Sequence, residues 1–214
     1  ALEGPWRIHA PGVLPLADSL FAGHVASPDV HVDHERREIR LYYHGSDTVT
    51  GGGGEQYTRV ALSKDGLHFR ARDEKLGLPY FRVFRWQGYY YALGMPGVFY
   101  RSRDGLSAFE KGPALFTRDM RHTALNVEGS TLTVFYTNVG DCPERILRST
   151  IDLARVWQQW EPSAPVVVLA QVTDLVDDDV IADPVIESDN IELYVRENPL
   201  QRFAVEPFTA GDEH

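Results

Sequence analysis

Titratable residues crowd into one short stretch: His24, Asp29, His31, Asp33 and His34 fall within eleven residues. On an extended strand alternate side chains share a face, which groups Asp29, His31 and Asp33. Imidazole and carboxylate ligands suit a divalent cation, and His24, Asp29 and His122 could surround one. Asp33 and His34 lie about 13 Å along the strand from Asp29, at roughly 3.3 Å per residue, too far to share that site. Two further carboxylates stand beside prolines: Glu144 in Gly140-Asp-Cys-Pro-Glu-Arg145 and Asp183 in Ala182-Asp-Pro-Val185. Carboxyl groups set apart from one another are the equipment of general acid–base chemistry. Arg82, Arg121 and His122 are cationic or switchable. A guanidinium fork suits a carboxylate or phosphate ligand, or else pairs with a neighbouring Asp or Glu. Gly51-Gly-Gly-Gly54 lacks the Lys-Ser/Thr and helix of a phosphate loop and reads as a flap or a tolerated insertion. No local signature marks Cys142 as a nucleophile.

The elements that must hold these residues are strands. The chain has 214 residues, 43% hydrophobic and 24% charged, and can bury a core. Aromatics reach 11%, and Gly plus Pro number 18 + 13 = 31, which together favour strands and many turns. Lys plus Arg number 21 against 31 Asp plus Glu, giving a net charge of −10 that repels nucleic-acid backbones. No apolar run approaches the roughly 20 residues that a membrane span needs. The first twenty residues lack a signal-peptide pattern. With a single Cys142 and no disulfide partner, a reducing, cytoplasmic setting is mildly favoured.

Short β-branched or aromatic runs recur between turn residues: 38–44, 56–63, 80–85, 89–93, 131–137 and 191–196. Only 149–160 has a partly helical look. Ser63-Lys-Asp-Gly-Leu-His-Phe69 returns as Ser102-Arg-Asp-Gly-Leu-Ser-Ala-Phe109, 39 residues on, and in degenerate form at Ser149–Asp152. Asp-Gly is a tight-turn signal. Units of four strands per roughly 40–50 residues are the signature of β-propeller blades. The expectation is one all-β propeller domain over 1–214. Its blades fall near 22–76, 77–117, 118–170 and 171–210, and 5–16 supplies a ring-closing strand. The final blades read as incomplete, and the acidic stretch 174–179 as a solvated loop or a cation-attracting rim.

His24-Val-Ala-Ser-Pro-Asp-Val30, Leu41-Tyr-Tyr-His-Gly45, Arg59-Val-Ala-Leu-Ser63 leading into the Asp-Gly turn, and Ala182-Asp-Pro-Val185 before Ile191-Glu-Leu-Tyr194 resemble the five-bladed propeller glycosidases. These are the arabinanase, fructosidase and β-mannoside phosphorylase type. The resemblance covers roughly 21–196. It implies a funnel that binds carbohydrate, with the innermost strand starts and the loops between second and third strands on one face. That places His24, Asp29, His44, Tyr80, Arg82, Arg121, His122, Asn138, Glu144 and Asp183 together, and the Asp-Gly turns opposite. Asp29 reads as a general base, though in Ser-Pro-Asp rather than Asp-Pro order, or as an Asp capping nearby amides. Glu144 or Asp183 reads as the acid; a Glu144–Arg145 salt bridge is the alternative for the first. His24, His44, Tyr80, Arg82, Arg121, His122 and Asn138 read as substrate-binding, and the cationic set favours an anionic sugar. No cofactor is required, with the divalent cation as the alternative. The function expected is glycoside hydrolysis in the central funnel; the alternatives are sugar binding without catalysis and a metal-dependent lyase or isomerase reaction using the histidines.

Overall fold

The computed structural model describes residues 7–10, 12–49 and 55–170. They form three four-stranded antiparallel sheets. The first holds β1 (His24–Asp33), β2 (Glu38–Ser46), β3 (Gln56–Ser63) and β4 (Arg70–Ala71). The second holds β5 (Arg82–Trp86), β6 (Tyr89–Gly94), β7 (Val98–Ser102) and β8 (Glu110–Ala114). The third holds β9 (Met120–Glu128), β10 (Thr131–Asn138), β11 (Arg145–Asp152) and β12 (Val166–Ala170). Each sheet is a simple meander in chain order, the blade pattern of a propeller. The fourth unit, Asp183, 174–179 and Gly51–Gly54 lie outside the described residues. Within 5–16, residues 7–10 and 12–15 form no strand; the Val13 carbonyl accepts the Phe69 amide at 3.3 Å, beside the outer edge of the first sheet. The stretch with a helical look is the end of β11 followed by a single 3-10 turn at Trp157–Gln159.

Alternation sends side chains of one strand to two different cores. Tyr42 packs with Val60, Phe81, Val83, Tyr90 and Ala92 between the first and second sheets. Its neighbours Leu41 and Tyr43 pack with Phe21, Tyr57 and Ala61 on the other side. The second and third sheets meet through Phe84, Tyr91, Leu93 and Phe99 against Leu132, Val134, Ile151, Trp157 and Trp160. Burial on both faces is why the middles of β2 and β6, Leu41–Tyr43 and Tyr90–Leu93, read as continuous rather than alternating, with the buried Arg40 and His44 flanking the first.

The repeated turns are built alike. Ser63 Oγ accepts the amides of Asp65 and Gly66, and Asp65 Oδ1 accepts those of Leu67 and His68. Ser102 and Asp104 repeat this with the amides of Asp104, Gly105, Leu106 and Ser107. Burial pushes the Asp104 carboxyl up, but the Leu106 and Ser107 donors outweigh it and hold it at about 2. The second turn also ties two blades together. Arg40, 1% exposed, donates to the Asp104 carbonyl at 2.6 Å, and the Tyr42 hydroxyl donates to the Gly105 carbonyl at 2.7 Å.

Gly105 has φ +71°, and a Cβ there would stand 2.6 Å from the Tyr90 ring and 2.8 Å from Arg40 Nη1. Gly105→Ala is therefore expected to cost about 2–3 kcal/mol, combining left-handed strain with overpacking. Gly88→Ala, at φ +78° but facing open space, should cost about 1 kcal/mol. Urea unfolding of both variants measures the difference; equal costs would mean the turn does not bear on the first blade.

Candidate functional site

The innermost strands β1, β5 and β9 start at one mouth, and a non-glycine residue with positive φ sits close to each start. Ser27, Tyr80 and His122 adopt positive φ of 51°, 62° and 51°. Each lies six residues before the end of its innermost strand: 33 − 27, 86 − 80 and 128 − 122 all equal 6. The β1–β2 pairing shifts register between Ala26 and Asp29, and the β9–β10 pairing shifts where His122 falls. A bulge re-aims the side chains around it, and a non-glycine residue held at positive φ costs about 1–3 kcal/mol that surrounding structure must offset. Such strain concentrates at sites that work.

What this backbone presents is an arc of rings crossing three blades. His24 and His44 have centroids 5.8 Å apart, His44 and Tyr80 4.2 Å apart at 32°, and Tyr80 and His122 6.1 Å apart. His44 is 2% exposed. Burial, followed by the charges of His24 and Arg82, pulls its imidazole down to about 4, so it is neutral near pH 7. Its Nδ1 has no protein hydrogen-bond partner among the described residues, nor have Arg121 Nε, Thr137 Oγ1 and Asn138 Oδ1 at the same end of the strands. Buried polar atoms are normally satisfied; four such orphans gather at this end, and the other four among the described residues, Glu38 Oε1, Arg40 Nε, Arg59 Nε and Trp157 Nε1, lie elsewhere.

Arg82 holds the three strand starts together. Its Nε donates to the Thr123 carbonyl at 2.9 Å, and its Nη1 to the carbonyls of Ser27 at 3.3 Å and Phe81 at 3.1 Å. One side chain thus reaches blades one, two and three.

The carboxylates are placed differently. Asp29 Oδ2 accepts the Val83 amide at 2.7 Å and faces His31 Nε2 at 2.8 Å, linking β1 to β5. Arg121 Nη2 meets Glu144 Oε1 at 3.0 Å, while Arg145 pairs with Asp141 at 3.1 Å, so the ion pair of Glu144 is with Arg121 rather than with its neighbour. Asn138 pairs across the ladder with Met120 at the same end. Asp183 falls outside the described residues. Asp33 lies at the far hairpin and bonds Arg36 and Arg40. Among the described residues no three His, Cys, Asp or Glu side chains converge closely enough to hold a metal ion. An open cleft of about 540 Å³ beside Lys64, His68, Arg70 and Arg72 lies by the Asp-Gly turn, away from the mouth.

Sequence reasoning missed Ser27 and the bridging role of Arg82. The constant six-residue offset before each hairpin could have pointed to Ser27; nothing in the sequence indicates which carbonyls a guanidinium will find.

Solved structures share this architecture. A β-1,2-mannobiose phosphorylase from Listeria innocua superposes with TM-score 0.54 at 12% identity, over 73% of this chain and 62% of that one. The catalytic domain of a Coprinopsis cinerea GH62 α-L-arabinofuranosidase gives 0.57 at 14%, over 76% and 56%. An endo-arabinase from Bacteroides thetaiotaomicron gives 0.51 at 12%, over 74% and 59%. The fold is a β-propeller fold, shared with these enzymes. An uncharacterized protein, R118, of Acanthamoeba polyphaga mimivirus is 33% identical over 77% of this chain, which spans 53% of that relative's length. No protein-family model matches the chain. Among the described residues no helix is long and apolar enough to cross a membrane.

Proposed function

We propose that this chain binds a carbohydrate at the mouth where its innermost strands start, as part of a propeller of the five-bladed type. The observation that carries the reading is the arc His24, His44, Tyr80 and His122 at the end of the blades that Arg82 ties together, built on three strand starts that each hold a residue at positive φ. Ring faces stack on the C–H faces of a sugar, while orphaned donors and acceptors meet its hydroxyls. The residues at the three equivalent positions are serine, tyrosine and histidine, none of them a carboxyl group. This favours binding as the basic activity.

The test is calorimetric titration with a panel of pentose and hexose oligosaccharides. Tyr80→Asn keeps a residue that tolerates positive φ but removes the ring. It is expected to weaken binding about tenfold, equivalent to about 1.4 kcal/mol. Unchanged affinity in a folded variant would move the site elsewhere.

Hydrolysis is the second reading, favoured by Asp29: both its hydrogen bonds go to Oδ2, and Oδ1 accepts none among the described residues. Asp29 would act as base and Glu144 or Asp183 as acid, roughly 6.5–9.5 Å apart for inversion. Glu144 must leave Arg121 to serve, and no cofactor takes part. On this reading Asp29→Asn abolishes release of reducing sugar while leaving affinity within about threefold. If no oligosaccharide in the panel is cleaved, the protein is a binder alone.

A further inference from the structure

We infer that the sugar taken at this mouth carries an oxyanion, and that Arg82 receives it. The inference rests on the carbohydrate reading above and names the substrate class.

Arg82 differs from the other arginines that bridge structural elements. Arg36, Arg40, Arg59, Arg101, Arg121 and Arg145 each pair with a carboxylate. The half-buried Arg82 pairs with none among the described residues; its three bonds go to the neutral carbonyls of Ser27, Phe81 and Thr123. Those carbonyls fix the guanidinium plane but bring no negative charge, and among the described residues its Nη2 group makes no hydrogen bond. A partly desolvated cation without an anion is expensive, so a site that keeps one gains by supplying the anion from outside. Among the described residues the candidate carboxylates Asp29 and Glu144 are committed elsewhere: Asp29 to Val83 and His31, Glu144 to Arg121. The rings at this end, His24, Tyr80 and His122 with the buried His44 behind them, bring no negative charge.

The surrounding protein makes this selective. With a net charge of −10 the chain repels anions in general, so a positive focus at one mouth admits an anion only where the sugar's other contacts bring it in. The shared chemistry is a carboxylate, sulfate or phosphate group. It reaches Arg82 either on the sugar or as a free ion, and the inference commits to the sugar-borne form.

The experiment titrates the wild-type protein with di- and trisaccharides of galacturonic and glucuronic acid, with their galactose and glucose counterparts, and with inorganic phosphate. The acidic sugars are expected to bind at least tenfold more tightly than the neutral ones, and to lose several-fold affinity between 50 and 500 mM salt, an effect of the Debye length shrinking from about 14 to 4 Å. Arg82→Lys keeps the charge and loses the fork; it should reduce the preference for acidic sugars while Tyr80→Asn weakens both classes alike. Equal affinity for acidic and neutral sugars in the wild type overturns the inference and leaves carbohydrate binding standing. Binding of inorganic phosphate that neither acidic sugar displaces assigns Arg82 to a free ion and overturns it too. Failure of every sugar to bind overturns the carbohydrate reading and this inference with it. Because the decisive comparison uses the wild-type protein, a poorly folding Arg82 variant does not blunt it.

Discussion

Arg82→Met should lower the stability of the folded chain by about 2–4 kcal/mol, the cost of taking the donor away from three part-buried carbonyls. Two opposed effects decide the sign. Removing a charge that no carboxylate pairs among the described residues relieves its desolvation cost, which is moderate because Arg82 is only half-buried. Against this, the carbonyls of Ser27, Phe81 and Thr123 lose their donor at once. Each orphaned buried acceptor costs about 1–3 kcal/mol, and the methionine offers none of them a hydrogen. The three bonds also hold Ser27 and the residues beside Tyr80 and His122, whose strained backbone then has less to keep it in place. For a chain of this size the melting temperature should fall by roughly 2–4 °C per kcal/mol, or about 10 °C in all. Arg85→Met is the matching control: Arg85 is exposed and only covers the Tyr90 ring at 5.2 Å, so its loss should cost less than about 1 kcal/mol. If the two variants melt together, Arg82 does not join the blades.

The second large effect is a dependence of stability on acid. His44 is 2% exposed and its folded value lies at about 4, against an ordinary 6.5, with burial the main cause and the charges of His24 and Arg82 adding to it. Between those values the unfolded chain binds a proton that the folded chain does not. Stability is therefore complete above pH 6.5, falls as the pH drops toward 4, and loses nothing more from this group below that. The gap corresponds to at most about 3 kcal/mol. His44→Phe keeps a ring against Tyr80 and removes the titration. Urea midpoints at pH 7.5 and 4.5 should separate widely in the wild type and much less in the variant. Asp104 complicates only the lower range. Its carboxyl is held at about 2 against 3.8, so its contribution is present above 3.8 and lost as the pH falls through 2, in both proteins alike. A wild type as stable at pH 4.5 as at 7.5 would mean that His44 is reached by water in the folded state.

Much of the blade structure is written locally. Runs such as Glu38–Ser46 and Thr131–Asn138 carry branched and aromatic side chains that favour extended backbone, and Ser63-Lys-Asp-Gly and Ser102-Arg-Asp-Gly fold into their turns through bonds among neighbours. Interactions that span a few residues depend on residue type and spacing, so the sequence alone determined the all-β class, several of the inner strands and the repeated turns, while β7, β8 and β12 carried no run that stood out. That His24, His44, Tyr80 and His122 share one end followed from the resemblance to propeller blades, which set them there with six other residues; their ring-to-ring spacing came only from the structure. The tertiary structure alone decided their chemistry. Asp29 became a link to the Val83 amide, Glu144 a partner of Arg121, and Arg82 a tie between three blades. These outcomes hinge on atoms 23 to 55 residues apart along the chain meeting within hydrogen-bond distance. Such meetings follow from how whole sheets pack and twist about a common mouth, and no local pattern encodes an angle between sheets.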